Sequence, residues 1–259
     1  MIIKFIEAIG DKTINVLYAF YEALKFTFIC LIHMLNPHSY NPAMRAVLTK
    51  QIYFTSIQII PLFITMAIFF GSIIIGVVIL LATQYKLQGE IGSIIITFSI
   101  DEFSPFFTAL LISLRSSAAI NTEIAVMNVN NELNTLNSYK IDLIDYLFLP
   151  RIIGGIISIV SLSILFAFIM LGSGYIITLF YMDMDFHTYR YLLVSAIEVK
   201  DVLTLLLKSI AFGFAVTIIP VYSGLKTTKS YTAIPISVLN GMVKLFVAIF
   251  LIEVISLII

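Results

Sequence analysis

Charged residues fall in clusters along this chain, and the intervals between the clusters are almost wholly apolar. Five intervals are long enough to cross a bilayer core of about 30 Å as helices rising 1.5 Å per residue. The first, Gln51 to Tyr85, carries no charge. As one straight helix it would measure roughly 52 Å, so it must tilt, bend or run past the hydrocarbon, with Pro61 and Gly71 as the expected bends. The second begins at Ile91 and ends near Arg115, and the third spans Ile152 to Met182. Gly154-Gly155 and Gly172-Ser173-Gly174 supply the third with small residues for close helix contact. The fourth runs from about Val202 to Tyr222 and the fifth from about Ile236 to Ile259.

The polar clusters have patterns of their own. In residues 1–50, Ile2, Ile3, Phe5, Ile6 and Ile9 alternate with Lys4, Glu7, Asp11 and Lys12, and Glu22 and Lys25 interrupt the aromatic stretch from Tyr18 to His33. This reads as helices lying in the membrane interface, punctuated at Asn36-Pro37 and Asn41-Pro42. Residues 116–150 form the most polar segment, yet Val126, Val129, Leu133 and Leu136 recur at three- and four-residue spacing, which predicts an amphipathic helix. It is either a solvated connector or a docking helix for a cytoplasmic partner. Asp183, Asp185, His187, Arg190, Glu198, Lys200 and Asp201 mark a hydrophilic excursion before the fourth span. Placing the N-terminus in the cytoplasm puts most Lys and Arg there, including Arg45, Lys50, Arg115, Lys140, Arg151, Lys226 and Lys229. The expected fold is therefore an all-α integral membrane protein of one domain, 1–259. Residues 1–50 are N-terminal interfacial helices and 51–259 hold five transmembrane helices, with a cytoplasmic coupling helix between the second and third. The N-terminus is expected inside and the C-terminus outside.

Composition agrees. Of 259 residues, 60% are hydrophobic and only 12% charged, far too little charge for a soluble protein of this length. The apolar runs are continuous rather than alternating, which excludes a β-barrel. A formal net charge of zero gives no case for nucleic-acid binding. Cys30 stands alone and forms no internal disulfide, and no cleavable signal peptide is expected. The chain has no G-x-x-x-x-G-K-[S/T] loop, no H-E-x-x-H and no G-x-S-x-G, and His33, His38 and His187 lack metal-site spacing.

The chemistry that remains lies inside the spans. Asp101 and Glu102 are the only charged side chains of the second, with Pro105 three residues on. A carboxylate at membrane depth is costly and normally faces a bundle interior or a wet cavity. The alternative is that the two acids end a helix at the membrane surface. Adjacent acids on a helix diverge by about 100°, so two-carboxylate catalysis is a poor reading. Lys208 and Lys244 are expected to snorkel to the interface, and Glu253 to reach water near the chain end.

These residues carry a family resemblance. Asp101-Glu102-Phe103-Ser104-Pro105, the run Leu114-Arg115-Ser116-Ser117-Ala118-Ala119-Ile120-Asn121-Thr122-Glu123-Ile124-Ala125-Val126-Met127, then Glu132-Leu133 and Pro150-Arg151, follow one another in the order and spacing of a known pattern. So do Leu207-Lys208-Ser209-Ile210-Ala211-Phe212-Gly213 and Glu253. The sequence resembles the MlaE/YrbE family of ABC-transporter permeases, which handle lipids with MCE-domain proteins. Asp101 stands where that pattern has Arg, and Ser104, Leu114 and Ser117 stand where it has Gly.

The resemblance implies a permease that moves phospholipid between the inner membrane and a periplasmic MCE ring, embedded as two copies of this chain. It implies a cytoplasmic ABC ATPase that binds ATP and Mg, with no cofactor on this chain, and it admits a small STAS-like cytoplasmic subunit. On this reading Glu102, Asp101 and Tyr85 line the lipid path, and Arg115, Glu123 and Glu132 couple to the ATPase. Rival readings are an intramembrane lipid-modifying enzyme and an uncoupled channel.

Overall fold

The structure, a computed structural model, describes residues 2–182 and 184–258, so Asp183 and the terminal Ile259 lie outside the described residues. All regular structure among the described residues is helical. Among the described residues five helical stretches are long and apolar enough to cross a membrane: Pro42–Gln84, Ile91–Val129, Ile144–Phe180, Val199–Leu225 and Ala233–Ile258. In hydrocarbon a helix satisfies its own backbone groups, which is why uniformly apolar sequence of this length takes that form.

The N-terminal segment opens with a long helix, α1 (Ile2–Leu35), and breaks at the expected Asn36-Pro37 and Asn41-Pro42. A turn at Pro37–Ser39 leads into α2 (Pro42–Thr55), which starts with Pro in its first turn, where a missing N–H costs nothing. The first span bends at a 3₁₀ turn, Ile57–Ile59, and continues as α3 (Ile60–Gln84). The bend thus lies just before Pro61. Gly71, the other expected bend, is a contact point: a Cβ there would meet the Cα of Met170 at 2.8 Å.

The second span is built from α4 (Ile91–Ile96), a π-helical segment Thr97–Phe103, α5 (Ser104–Ile112), a second π-helical segment Ser113–Ser117, and α6 (Ala118–Val129). The amphipathic helix expected within 116–150 is divided. Its first part, α6, continues the span. The chain then breaks at Asn131, whose φ of 60° is left-handed, before the short α7 (Glu132–Ser138). Leu133 is buried, as its place on the apolar stripe required. A π-helical turn, Ile144–Phe148, opens α8 (Leu149–Met182). The hydrophilic excursion holds a further helix, α9 (Phe186–Ala196), capped by Asp185, whose carboxylate accepts from the Thr188 N–H at 2.9 Å. The last two spans are α10 (Val199–Leu225) and α11 (Ala233–Ile258).

α8 and α10 form the centre. α3 and α2 pack on α8, α11 and α6 pack on α10, and α5 touches both central helices. Small residues set the spacing. A Cβ on Gly213 of α10 would meet the Cα of Ile156 at 2.7 Å, and one on Gly155 would meet Thr217 at 2.0 Å. Gly174 likewise abuts Ile75, whereas Gly172 faces open space. Ser104 and Ser117, which stand where the resembled pattern has Gly, are fully buried and leave no orphaned hydroxyl: Ser104 donates to the Ser99 carbonyl at 2.6 Å, and Ser117 donates across to the Val216 carbonyl of α10 at 2.7 Å. Leu114 points outward and costs the packing nothing. The outer faces of α3 and α11 expose Phe69, Ile73, Val77, Leu239, Val243 and Val247, a surface suited to lipid or a second subunit rather than to water.

Candidate functional site

Three charged side chains from three spans meet inside the bundle. Lys208 of α10 is 4% exposed. Its Nζ donates to Glu102 Oε2 at 2.6 Å and to Glu253 Oε1 of α11 at 3.1 Å. A third bond runs to the backbone carbonyl of Asp101 at 3.0 Å. Pro105 explains why that carbonyl is accessible. It has no N–H to return to residue 101 in α-helical register, and the chain around it relaxes into the π-helical segment. The ammonium's three donors are thus used on three oxygens, which is what a buried lysine requires.

The expectation that Lys208 snorkels to the interface is therefore corrected. Its stem points inward because two carboxylates wait there, and Glu253 holds the lysine instead of simply reaching water. A signal for this existed. Lys208 lies about nine residues from the start of α10, roughly 13 Å deep; from the same end of the bundle Glu102 lies about eleven residues in and Glu253 about five, within reach of a lysine stem. Lys244, by contrast, is exposed, on the side of α11 that borders a groove with α1 and α10.

Asp101 does not join the ion pairs. It is partly buried, and its Oδ1 lacks a hydrogen-bond partner. Flanking the acids is a column of aromatic rings: Phe98 stacks on Phe103, Phe103 on Phe107 at 5.4 Å, and Phe107 on Phe166. Tyr85, at the end of α3, is largely exposed and lines an apolar groove with Phe98 and Phe103, a groove that Glu102 does not line. The structure thus unites Glu102 with Lys208 and Glu253, and sets Tyr85 beside the aromatic column instead.

A second polar cluster lies at the opposite end of the second span. Arg151, 4% exposed, donates to Glu123 at 2.6 Å and to the Leu147 carbonyl at 2.6 Å. Arg115 is exposed and shares a cleft with Glu123, Arg151 and Lys50. Glu132 sits outside that cleft on α7, exposed, accepting from the Asn130 side chain at 3.0 Å. Arg151 was visible in the sequence only as part of Pro150-Arg151; nothing in its spacing said that it would be buried against Glu123.

Among the described residues one group of metal-ligand type comes together that sequence spacing could not show. His33 of α1 contacts Asp145 at 2.7 Å, and Asp142 brings a further carboxylate oxygen within 4.8 Å of their ligand atoms. The His33–Asp145 contact ties the end of α1 to the start of the third span.

The profile of the family described as Permease MlaE matches residues 48–259. An intermembrane phospholipid transport system permease protein, MlaE, from Haemophilus influenzae is 26% identical over 227 residues, covering 86% of this chain and 85% of that protein. A probable ABC transporter permease protein of Rickettsia prowazekii is 25% identical over 230 residues, 88% of this chain and 87% of its own length. The chloroplastic protein trigalactosyldiacylglycerol 1 of Arabidopsis thaliana is 24% identical over 169 residues, 65% of this chain and 48% of that protein.

Proposed function

Since the chain belongs to the MlaE permease family, we propose that it is the membrane-spanning subunit of an ABC transporter that moves phospholipid, powered by a separate ATPase. The observation that carries this reading is the Glu102–Lys208–Glu253 cluster inside the bundle. Buried ionisable groups at membrane depth mark a path for polar cargo. An intermembrane phospholipid permease among the relatives supports lipid as that cargo.

The cluster has the chemistry such a cargo needs. Asp101 removes the cation that the family pattern places beside Glu102, which leaves Lys208 of α10, a residue the pattern shares, as the cation in contact with Glu102. A lipid phosphate competes with the two carboxylates for the Lys208 ammonium, so the headgroup is held and released by exchange among anions. The aromatic column from Phe98 to Phe166 and the groove ending at Tyr85 offer apolar surface to the acyl chains.

The assembly we infer has two copies of this chain, two cytoplasmic ABC ATPase subunits that bind ATP and Mg, and a periplasmic MCE-domain ring, with room for a small STAS-like subunit. The Lys and Arg distribution supports a cytoplasmic N-terminus in a bacterial inner membrane, with α1 lying in the interface. The Arg115–Glu123–Arg151 cleft and α7, with Glu132, then face the ATPase and relay its closure to α5. Glu102→Gln in the intact complex tests the reading: ATP-driven lipid transfer should fall at least about tenfold while the complex stays assembled. Full transfer by that variant removes the cluster from the lipid path.

A further inference from the structure

At the end of the bundle away from the Lys208 cluster, α1, α10 and α11 enclose an open groove of about 830 Å³. Its walls are largely apolar, with Phe20 from α1, Ile219 from α10 and Ile236 from α11, and turn polar toward Glu22, Lys226 and Thr228 at one end. One polar strip runs down it. Ser237, Asn240 and Lys244 recur at three- and four-residue spacing and so share one face of α11. Ser237 is satisfied within the protein, bonding to Ser223 and Thr227. Asn240 and Lys244 are exposed, and among the described residues neither forms a side-chain hydrogen bond or ion pair.

Lys244 lies about eleven residues into α11, roughly 16 Å along it. Its neighbours on the outer surface, Leu239, Val243 and Val247, are apolar and exposed, as expected of a face within hydrocarbon. An unpaired ammonium there is costly. Helical side chains lean toward the N-terminus of their helix, so the Lys244 stem carries its charge up the groove, past Asn240. At the groove's mouth Lys226 is already engaged by Glu22. That leaves one cation and one amide, a turn apart, over an apolar floor. The matching ligand has a phosphate and ester oxygens at one end and hydrocarbon at the other.

We propose that this groove is a second lipid site, taking an anionic glycerophospholipid whose phosphate pairs with Lys244 and Asn240 while its acyl chains lie along Phe20, Ile219 and Ile236. The proposal rests on the lipid-permease reading and adds a station to it. About nine residues of α11, roughly 13 Å, separate Lys244 from Glu253, so the groove and the Lys208 cluster are distinct stops for a headgroup at two depths.

The test uses the full chain with its ATPase in nanodiscs containing phosphatidylglycerol and phosphatidylcholine. Lipid retained after transfer to detergent is counted by mass spectrometry for the wild type, Lys244→Gln, Lys244→Arg and Glu102→Gln. Wild type and Lys244→Arg should retain phosphatidylglycerol over phosphatidylcholine, and Lys244→Gln should lose that preference about tenfold. Glu102→Gln should keep the preference while losing ATP-driven transfer. Retention unchanged in Lys244→Gln overturns the proposal. So does displacement of the lipid by inorganic phosphate, which marks a free-anion site. Separation of the two copies by Lys244→Gln with lipid retention intact overturns it as well, in favour of a subunit contact. Absence of transfer in the wild type, with Lys244-dependent retention preserved, counts against the transport reading and leaves the groove standing.

Discussion

Lys208 is held by its partners rather than by its surroundings. A buried cation between two carboxylates is stable only while the set is complete, because each member's desolvation is offset by the others. Lys208→Met should therefore leave Glu102 and Glu253 facing each other with no cation, and cost about 3 kcal/mol. Combining it with Glu102→Gln should recover part of that loss, since one of the stranded charges is gone. Thermal unfolding of the single and double variants in detergent measures both, and strict additivity would show that the pair is not coupled. This residue also shows where sequence reading stopped. Glu102 was legible as a candidate because a charge in an apolar run is conspicuous. Lys208 was misread because snorkelling is judged from distance to a span's end, whereas the actual direction depended on which helices lie beside α10. Asp101, equally conspicuous, proved to lie outside the ion pairs.

The number and order of the spans were legible, since length and apolarity decide them, and the fourth and fifth agree to within about three residues; the first three run on past the apolar sequence, to Pro42, Val129 and Ile144. Their internal irregularities were not legible. The π-helical turn at Thr97–Phe103 depends on Pro105 and on the Ser104 hydroxyl reaching Ser99, a local bargain with no periodic signature. The polar stretch after the second span read as one helix because Leu133 continues the stripe of Val126 and Val129; the left-handed Asn131 divides it. α6 consequently carries Glu123 as a rigid extension of the span, where it meets the buried Arg151. Glu123→Gln should strip Arg151 of its acid and cost about 1–2 kcal/mol, discounted because Glu123 is half exposed. Loss of lipid stimulation of the ATPase in that variant, with binding of the ATPase intact, is the expected outcome; unaltered stimulation would remove Glu123 from the relay. α1 is tied down more weakly. The Lys226 ammonium hydrogen-bonded to Glu22 holds that carboxyl below its ordinary value, and the same bond raises Lys226. The contact thus contributes above the ordinary carboxylate range and is lost as pH falls through the lowered Glu22 value. At the alkaline end it is lost as pH rises through the raised Lys226 value. Spin labels at Lys25 and Thr228, in a Cys30→Ser background, should report a constant distance at neutral pH and a longer one in acid, and high salt should blunt the difference.

Taken whole, the molecule is a pair of central helices wrapped by three others, with ionisable groups inside and an apolar exterior that five helices leave largely uncovered on α11. Such a body carries ionisable groups between its spans but has no phosphate-binding loop. Its work as a transporter then requires an outside source of free energy, and this is the central claim. The most direct measurement is transfer of labelled phospholipid out of proteoliposomes holding the chain with its ATPase and an MCE acceptor. The expected result is transfer that needs both ATP and the ATPase, and that Lys208→Met abolishes. Equal transfer by the chain alone without nucleotide, or undiminished transfer by Lys208→Met, would contradict it.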